Sequence, residues 1–185
     1  MKGRAALLAA AFLFCAFPAT AKDWTVDYAD SHLRFIGQEG DTKFTGAFRK
    51  FTVAVDFDPE HPEAGKISAV IDTGSATAGN ADRDAYLPQA DWFYVKKFPQ
   101  AHFVSTGIRK TATGFAATGT LTIKDNARPI TLNFTLTPEG DHMRVKGQAD
   151  LVRTDFKVGE GQWQNENYVK FAVTVSIALA AKPIP

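Results

Sequence analysis

The chain carries 21 Lys or Arg against 20 Asp or Glu in 185 residues, a length that suits one domain. Balanced charge argues against a polyanion partner, because nucleic-acid binding shows as a basic surplus or patch. The one cysteine, Cys15, lies among the first 21 residues, so the remainder has no disulfide, thiolate nucleophile or cysteine-based metal site.

Residues 1–21 read as a secretory signal peptide. Lys2 and Arg4 precede an uncharged apolar run over residues 5–17, too short to anchor in a bilayer. Ala19-Thr20-Ala21 then supplies an A-x-A cleavage site before Lys22. Phe14 ahead of Cys15 does not suit lipoprotein processing, which wants a small residue there. Cleavage leaves residues 22–185 as one exported domain, and no later run is apolar for long enough to cross a membrane.

From Trp24 the pattern is strand. Trp24, Val26 and Tyr28 alternate with polar residues, and Leu33, Phe35 and Gly37 continue after a turn at Asp30-Ser31. Phe44, Gly46 and Phe48 make a third set, and Phe51, Val53, Val55 and Phe57 a fourth. Two prolines and a glycine make residues 59–65 a loop, and Ile67, Ala69 and Ile71 mark the next strand.

Residues 75–99 read as the only long segment after the signal peptide without strand alternation. Asn80 can cap a short helix with Asp82 and Asp84 in its first turn, which must stop before Pro88. A second short helix is expected from Asp91 through Trp92, Phe93, Tyr94 and Val95 to Lys97, before Pro99. Such stubby helices cannot bury Leu87, Trp92 and Phe93 against each other alone, so they are expected to close as a lid over an apolar surface.

Alternation then resumes. Phe103 opens a strand. Phe115, Ala117, Gly119, Leu121 and Ile123 lead through the turn Lys124-Asp125-Asn126 into Ile130, Leu132, Phe134 and Leu136, the clearest hairpin in the chain. Met143, Val145, Gly147, Ala149 and Leu151 follow, and Val169 to Leu179 carries the longest alternation of all. Eight or more short strands interrupted once by helix predict an all-β fold, an antiparallel eight-stranded β-barrel with a short helical lid. A barrel of that size either fills with side chains or holds one small ligand. Small inward positions (Gly37, Gly46, Ala69, Ala117, Gly119, Gly147, Ala149) are expected to leave room for a cavity.

Reactive constellations are missing. His32, His61, His102 and His142 lie 29, 41 and 40 residues apart, and none makes an H-x-x-x-H or H-E-x-x-H pair. There is no G-x-S-x-G elbow, S-x-x-K, P-loop or G-x-G-x-x-G. Asp82 and Asp84, two apart on a helix, do not face each other as a glycosidase pair would, and capping or dipole roles explain them and Asp91 more cheaply. Arg153 is read as a structural charge at a strand end, with an acid beneath the lid as the alternative partner. Twelve Phe, three Trp and four Tyr follow the signal peptide. They fill a core, and the same composition lines a pocket for an apolar ligand.

In this setting the chain resembles the YceI-like family of bacterial exported proteins. Trp24, Asp27, Ser31 and Phe35 are similar to its opening, and Gly46-Ala47-Phe48-Arg49-Lys50-Phe51 to its G-x-F-x-x-F segment. Ser75, Arg83-Asp84, Leu87, Asp91-Trp92-Phe93 and residues 98–103 resemble its central signature. The run from Gly119 to Ile123 with Pro129 to Leu132 is similar to its hairpin, and Arg153-Thr154-Asp155-Phe156 with Gly159 to its end. The turn at Lys124 lacks the glycine often found there, which should alter only the turn.

The resemblance implies a lipocalin-like barrel in the periplasm that holds a polyisoprenoid, isoprenoid quinone or fatty-acid-like amphiphile, for transport, storage or stress protection, with no catalytic residue, metal or resident cofactor. A separate membrane b-type cytochrome and a second copy of the chain are the candidate protein partners. The expected lining is Phe35, Phe48, Ile71, Leu87, Trp92, Phe93, Phe103, Leu121, Phe134 and Phe171. Ser75, Asn80, Asp84 and Arg153 are expected to make polar contacts or anchor the lid. Two other readings stand beside this one: a packed barrel acting through its surface as an interaction or stress protein, and a small hydrolase or isomerase.

Overall fold

Period-two alternation becomes strand along most of the chain in the computed structural model, which describes residues 24–183. The expected signal peptide lies outside the described residues. The strands are β1 (Trp24–Glu39), β2 (Thr42–Phe48), β3 (Phe51–Asp56), β4 (Lys66–Asp72), β5 (Ala76–Thr77), β6 (Gln100–Lys110), β7 (Phe115–Ile123), β8 (Asn126–Glu139), β9 (His142–Val152) and β10 (Ala172–Pro183). One α-helix, α1 (Ala81–Tyr86), and a few single-turn 3-10 segments complete the described structure.

All ten strands join one antiparallel sheet in the order β3-β4-β6-β7-β8-β9-β10-β1-β2-β5. The expected closed, eight-stranded lipocalin-like barrel with a helical lid is therefore corrected to an open, curled ten-stranded sheet. Sheet closure fails at one seam. β2 and β3 are consecutive, yet no ladder joins β3 to β1, β2 or β5 among the described residues. Instead the Val53 N–H donates to the Tyr28 hydroxyl at 3.0 Å, and the Lys50 N–H to Ser75 Oγ at 3.0 Å. These bonds and one from the Arg49 N–H to the Ser75 carbonyl at 3.2 Å hold the seam where a barrel would have a ladder.

The turn expected at Asp30-Ser31 is a bulge within β1. Asp27 pairs with Ala180 and His32 with Ala178, so four residues of β1 lie opposite one of β10. Ser31 is buried and repairs the gap. Its Oγ donates to the Asp27 carbonyl at 2.5 Å and accepts from the Ala180 N–H at 3.1 Å.

Only the first expected helix forms. Asn80 Oδ1 accepts from the Arg83 N–H at 3.1 Å, capping α1, and the helix ends ahead of Pro88. The second, expected from Asp91 to Lys97, is a run of turns. Tyr94 takes φ +48°, which no α-helix accommodates, and the Phe93 N–H closes a turn onto the Leu87 carbonyl at 3.0 Å. A further segment without strand, residues 153–171, went unrecognised in the sequence pattern and packs over the same end of the sheet. It is tied to the β1–β2 hairpin by the Gly40 N–H to the Tyr168 carbonyl and the Lys170 N–H to the Gln38 carbonyl, both at 2.9 Å.

Three of the small inward residues seat phenylalanine rings, and Gly37 and Ala69 also border cavities. Gly46 is the cross-strand partner of Phe35, and Gly37 of Phe44, and in each pair the phenylalanine ring lies where a Cβ would stand. Gly119 seats the Phe103 ring in the same way. At the end of β7 marked by Phe115, the rings of Phe57, Phe115 and Phe134 pack within 5.1–5.6 Å of one another, and the Trp24 indole N–H closes onto the Phe57 carbonyl at 2.9 Å. That end is filled.

Replacing Gly46 by Ala forces its methyl into the Phe35 ring and should cost about 1–3 kcal/mol, as overpacking does. Urea unfolding would read this as a lower midpoint at unchanged slope; an unchanged midpoint would mean that the ring moves aside freely.

Candidate functional site: an apolar cavity under two irregular segments

At the opposite end of β7, marked by Ile123, the sheet encloses a cavity of about 310 Å³. Its walls are Phe35 of β1, Phe44 and Phe48 of β2, Ile123 of β7, Leu151 of β9, and Val173 and Val175 of β10. Two irregular segments roof it. Residues 78–98 contribute Leu87, Trp92 and Phe93, and residues 153–171 contribute Phe156, Val158 and Trp163. Polar side chains are few: Glu39, Asn80, Asp82 and Arg83, together with Arg153. The Arg83 guanidinium pairs with Glu39 at 2.8 Å and lies 4.6 Å from the Phe44 ring centre.

Arg153 organises the roof. It is 4% exposed, and its guanidinium donates to six backbone carbonyls, those of Val158, Gly159, Trp163, Asn165, Val169 and Lys170, at 2.6–3.2 Å. No carboxylate of the described residues pairs with it directly. Burial draws the guanidinium pKa below its ordinary value, and the more distant Glu166 carboxylate opposes that. Its planar face lies 5.7 Å from the Trp92 ring and 5.4 Å from that of Phe171. Gly159 is required beside it. With φ +82° and an Arg153 nitrogen where a Cβ would stand, no other residue fits.

Lys124 is a second buried cation, and the sequence pattern passed over it. Lys124 and Asp125 both take left-handed φ, +49° and +58°, in the tight turn where Asn-Gly is the usual solution. The ammonium reaches the Ala90 carbonyl at 2.9 Å, the Lys157 carbonyl at 2.7 Å and the Glu160 carboxylate at 2.8 Å. The missing glycine therefore does more than alter the turn: this lysine joins the β7–β8 hairpin to both roof segments. The segments are also joined directly, since the Asp91 carbonyl accepts from the Gly159 and Glu160 N–H groups at 2.7 and 2.8 Å.

Of the residues expected to line a site, the structure brings Phe35, Phe48, Leu87, Trp92, Phe93, Asn80 and Arg153 to this cavity. Leu121 and Phe103 pack below it in the same core cluster. Phe103 and Phe134 border a separate apolar cavity of about 80 Å³. Ile71 packs with Leu33 and Ala101 instead, and Phe171 lies against Arg153 rather than at the cavity wall. Ser75 serves the seam. Asp84 lies in the first turn of α1 as expected, and its oxygens also accept from the Thr77 hydroxyl at 2.6 Å and the Ala78 N–H at 2.5 Å, fastening α1 to β5. Those two hydrogen bonds hold its carboxyl below the ordinary value of 3.8.

Phe44, Tyr86, Phe156, Val158 and Trp163 were missed. Tyr86, Trp92 and Tyr168 each pack their rings 5.2–5.8 Å from that of Trp163, in a segment with no periodicity to reveal it. Among the described residues no group of three His, Cys, Asp or Glu side chains is placed to hold a metal ion.

Two outcomes are expected. Arg153→Met leaves six carbonyls without their donor and should cost at least about 3 kcal/mol, measured by chemical denaturation; a smaller loss would mean that water replaces the guanidinium. Asp84→Asn should lower the melting temperature at neutral pH. Because the folded pKa is depressed, the Asp84 contribution is complete above 3.8 and is lost as pH falls below it. Wild type and variant should therefore converge in acid, and a constant gap down to pH 2 would reject this role.

The YceI-like domain family model matches residues 24–181. A UPF0312 protein of Yersinia enterocolitica is 35% identical over 138 residues, covering 73% of this chain and 72% of that one. The crystal structure of Burkholderia cenocepacia BcnA superposes with a TM-score of 0.79 at 32% identity, over 84% of this chain and 99% of that one. A polyisoprenoid binding domain from Saccharophagus degradans, implicated in plant cell wall breakdown, shares the fold with a TM-score of 0.64 at 17% identity, over 87% of this chain and 98% of that one. The motif order, the family match over residues 24–181 and the BcnA superposition agree: the chain belongs to the YceI-like family.

Proposed function

We propose that the chain is an exported binding protein that holds a long-chain amphiphile, of the polyisoprenoid, isoprenoid quinone or fatty-acid type, in the cavity roofed by residues 78–98 and 153–171. One observation carries this reading. The cavity is walled by aromatic and aliphatic side chains and keeps its few polar groups to a small set, the arrangement that ligand pockets share. Each buried methylene of a chain gains about 0.8 kcal/mol, so such a wall binds a lipid tail without reactive groups. The polyisoprenoid binding domain of similar fold supports the ligand class. The charged start, apolar run and A-x-A site of residues 1–21 support export, with the periplasm as the destination. The apolar wall and the family relation support a binding role.

Native purification followed by organic extraction and mass spectrometry tests this reading. A prenyl or acyl lipid is expected at near-stoichiometric amount. Val173→Phe, which fills the cavity from β10, should reduce it about tenfold or more while the fold persists by circular dichroism. An empty extract, with no uptake of added quinones, polyprenols or fatty acids, would reject the carrier and favour a packed protein acting through its surface.

A further inference from the structure

We propose that Phe103 sets the length of hydrocarbon tail that the cavity accepts, by closing it off from a smaller apolar space beyond. This rests on the reading of the cavity as a lipid site and adds which tails it takes. The large cavity holds about 310 Å³, at the small end of ligand pockets. The smaller space holds about 80 Å³, and every side chain that lines it is apolar. A cavity of that kind stays dry and suits a hydrocarbon.

The two spaces follow one another along the sheet. On β10, Val175 walls the large cavity and Ile177, the next inward residue, walls the small one, a step of about 7 Å. On β9, Leu151 walls the large cavity and Val145 the small one, with only Ala149 and Gly147 buried between them. These strands put little bulk into the gap. Phe103 of β6 supplies it. Leu87, Phe93, Phe156 and Val158 of the large cavity's wall share a buried cluster with Phe103. Of the buried side chains in that cluster, Phe103 alone also borders the small cavity.

Strand geometry holds the ring in that place. Phe103 pairs with Ala69 on one side and Leu121 on the other. Its ring leans past Leu121 onto Gly119, where a Cβ would stand 2.6 Å from it. Gly119 lies two residues nearer the Phe115 end, so the ring inclines toward the small cavity. A tail in the large cavity gains about fourfold in affinity with each methylene it buries. Once its end meets Phe103, further carbons find no room unless the ring is forced from a packed position, which is costly.

An equimolar mixture of straight-chain alcohols, from octanol upward in single-carbon steps, tests this by mass spectrometry of the bound fraction. Wild type should prefer each longer chain about fourfold up to a break and gain nothing beyond it. Phe103→Ala should move the break at least about two carbons longer, with the fold checked by circular dichroism. Should that variant fail to fold, Phe103→Leu should still move it by about one carbon. Val145→Phe, which fills the small cavity from β9, should leave the wild-type break in place and cancel the gain of Phe103→Ala. A preference that climbs without a break, or a break that stays put in folded Phe103 variants, would overturn the inference while the carrier stands. So would a shorter wild-type break in Val145→Phe, since the tail would then already reach the small cavity. Failure of every alcohol to bind wild type would overturn the carrier reading, and this inference with it.

Discussion

Six carbonyls converging on one guanidinium fix the end of this molecule where its cavity lies. Arg153 gives residues 158–170 a common centre where there is no α-helix and no β-ladder. Burying that charge is expensive, and the cost is met by charge-assisted hydrogen bonds that no neutral side chain could supply in such number. The same cation sets its flat face toward Trp92 on the other roof segment. Lys124 repeats the device on a smaller scale from the β7–β8 turn. Both segments are thus pinned from beneath by cations bonded largely to backbone, so their side chains are free to face the cavity.

The volume of the cavity follows from how the two ends of the sheet differ. At the Phe115 end, three phenylalanine rings and Trp24 occupy the interior. At the Ile123 end no strand crosses over, and the irregular segments span the opening without descending into it. Glycines under Phe35, Phe44 and Phe103 let those rings lie flat against the opposing strand. The rings thereby form wall rather than filling.

Strands were legible because one face of each is apolar, and β7, β8 and β9 stand where alternation placed them. Closure was not, since a strand's pattern states which face is buried and says nothing of whether its edge is paired. Asn80 and Pro88 marked α1 correctly, through a cap and a stop that act locally. The helix expected after Asp91 was overruled by tertiary bonding, in which the Asp91 carbonyl serves the other roof segment and Tyr94 takes a left-handed turn. Half of the anticipated wall lies at the cavity; Ile71, Leu121 and Phe134 share its inward pattern but sit at other heights. Arg153 was legible as structural, whereas its six acceptors come from a stretch without periodicity. Lys124 could have been noticed as a non-glycine in a turn that prefers glycine.

The pairing of β1 with β10 governs the order of events in folding. Ser31 and Ala180 are 149 residues apart, so the ladder that unites the two halves of the sheet waits for the final strand. Until residues 172–183 are available, no β-ladder joins β1, β2 and β5 to the six other strands from β3 to β9. Pairings this distant in sequence form slowly, on the milliseconds-to-seconds scale of non-local β topologies. The strands from β3 to β9 other than β5 pair among themselves without the final strand, so what waits for residues 172–183 is the joining of that part of the sheet to β1, β2 and β5.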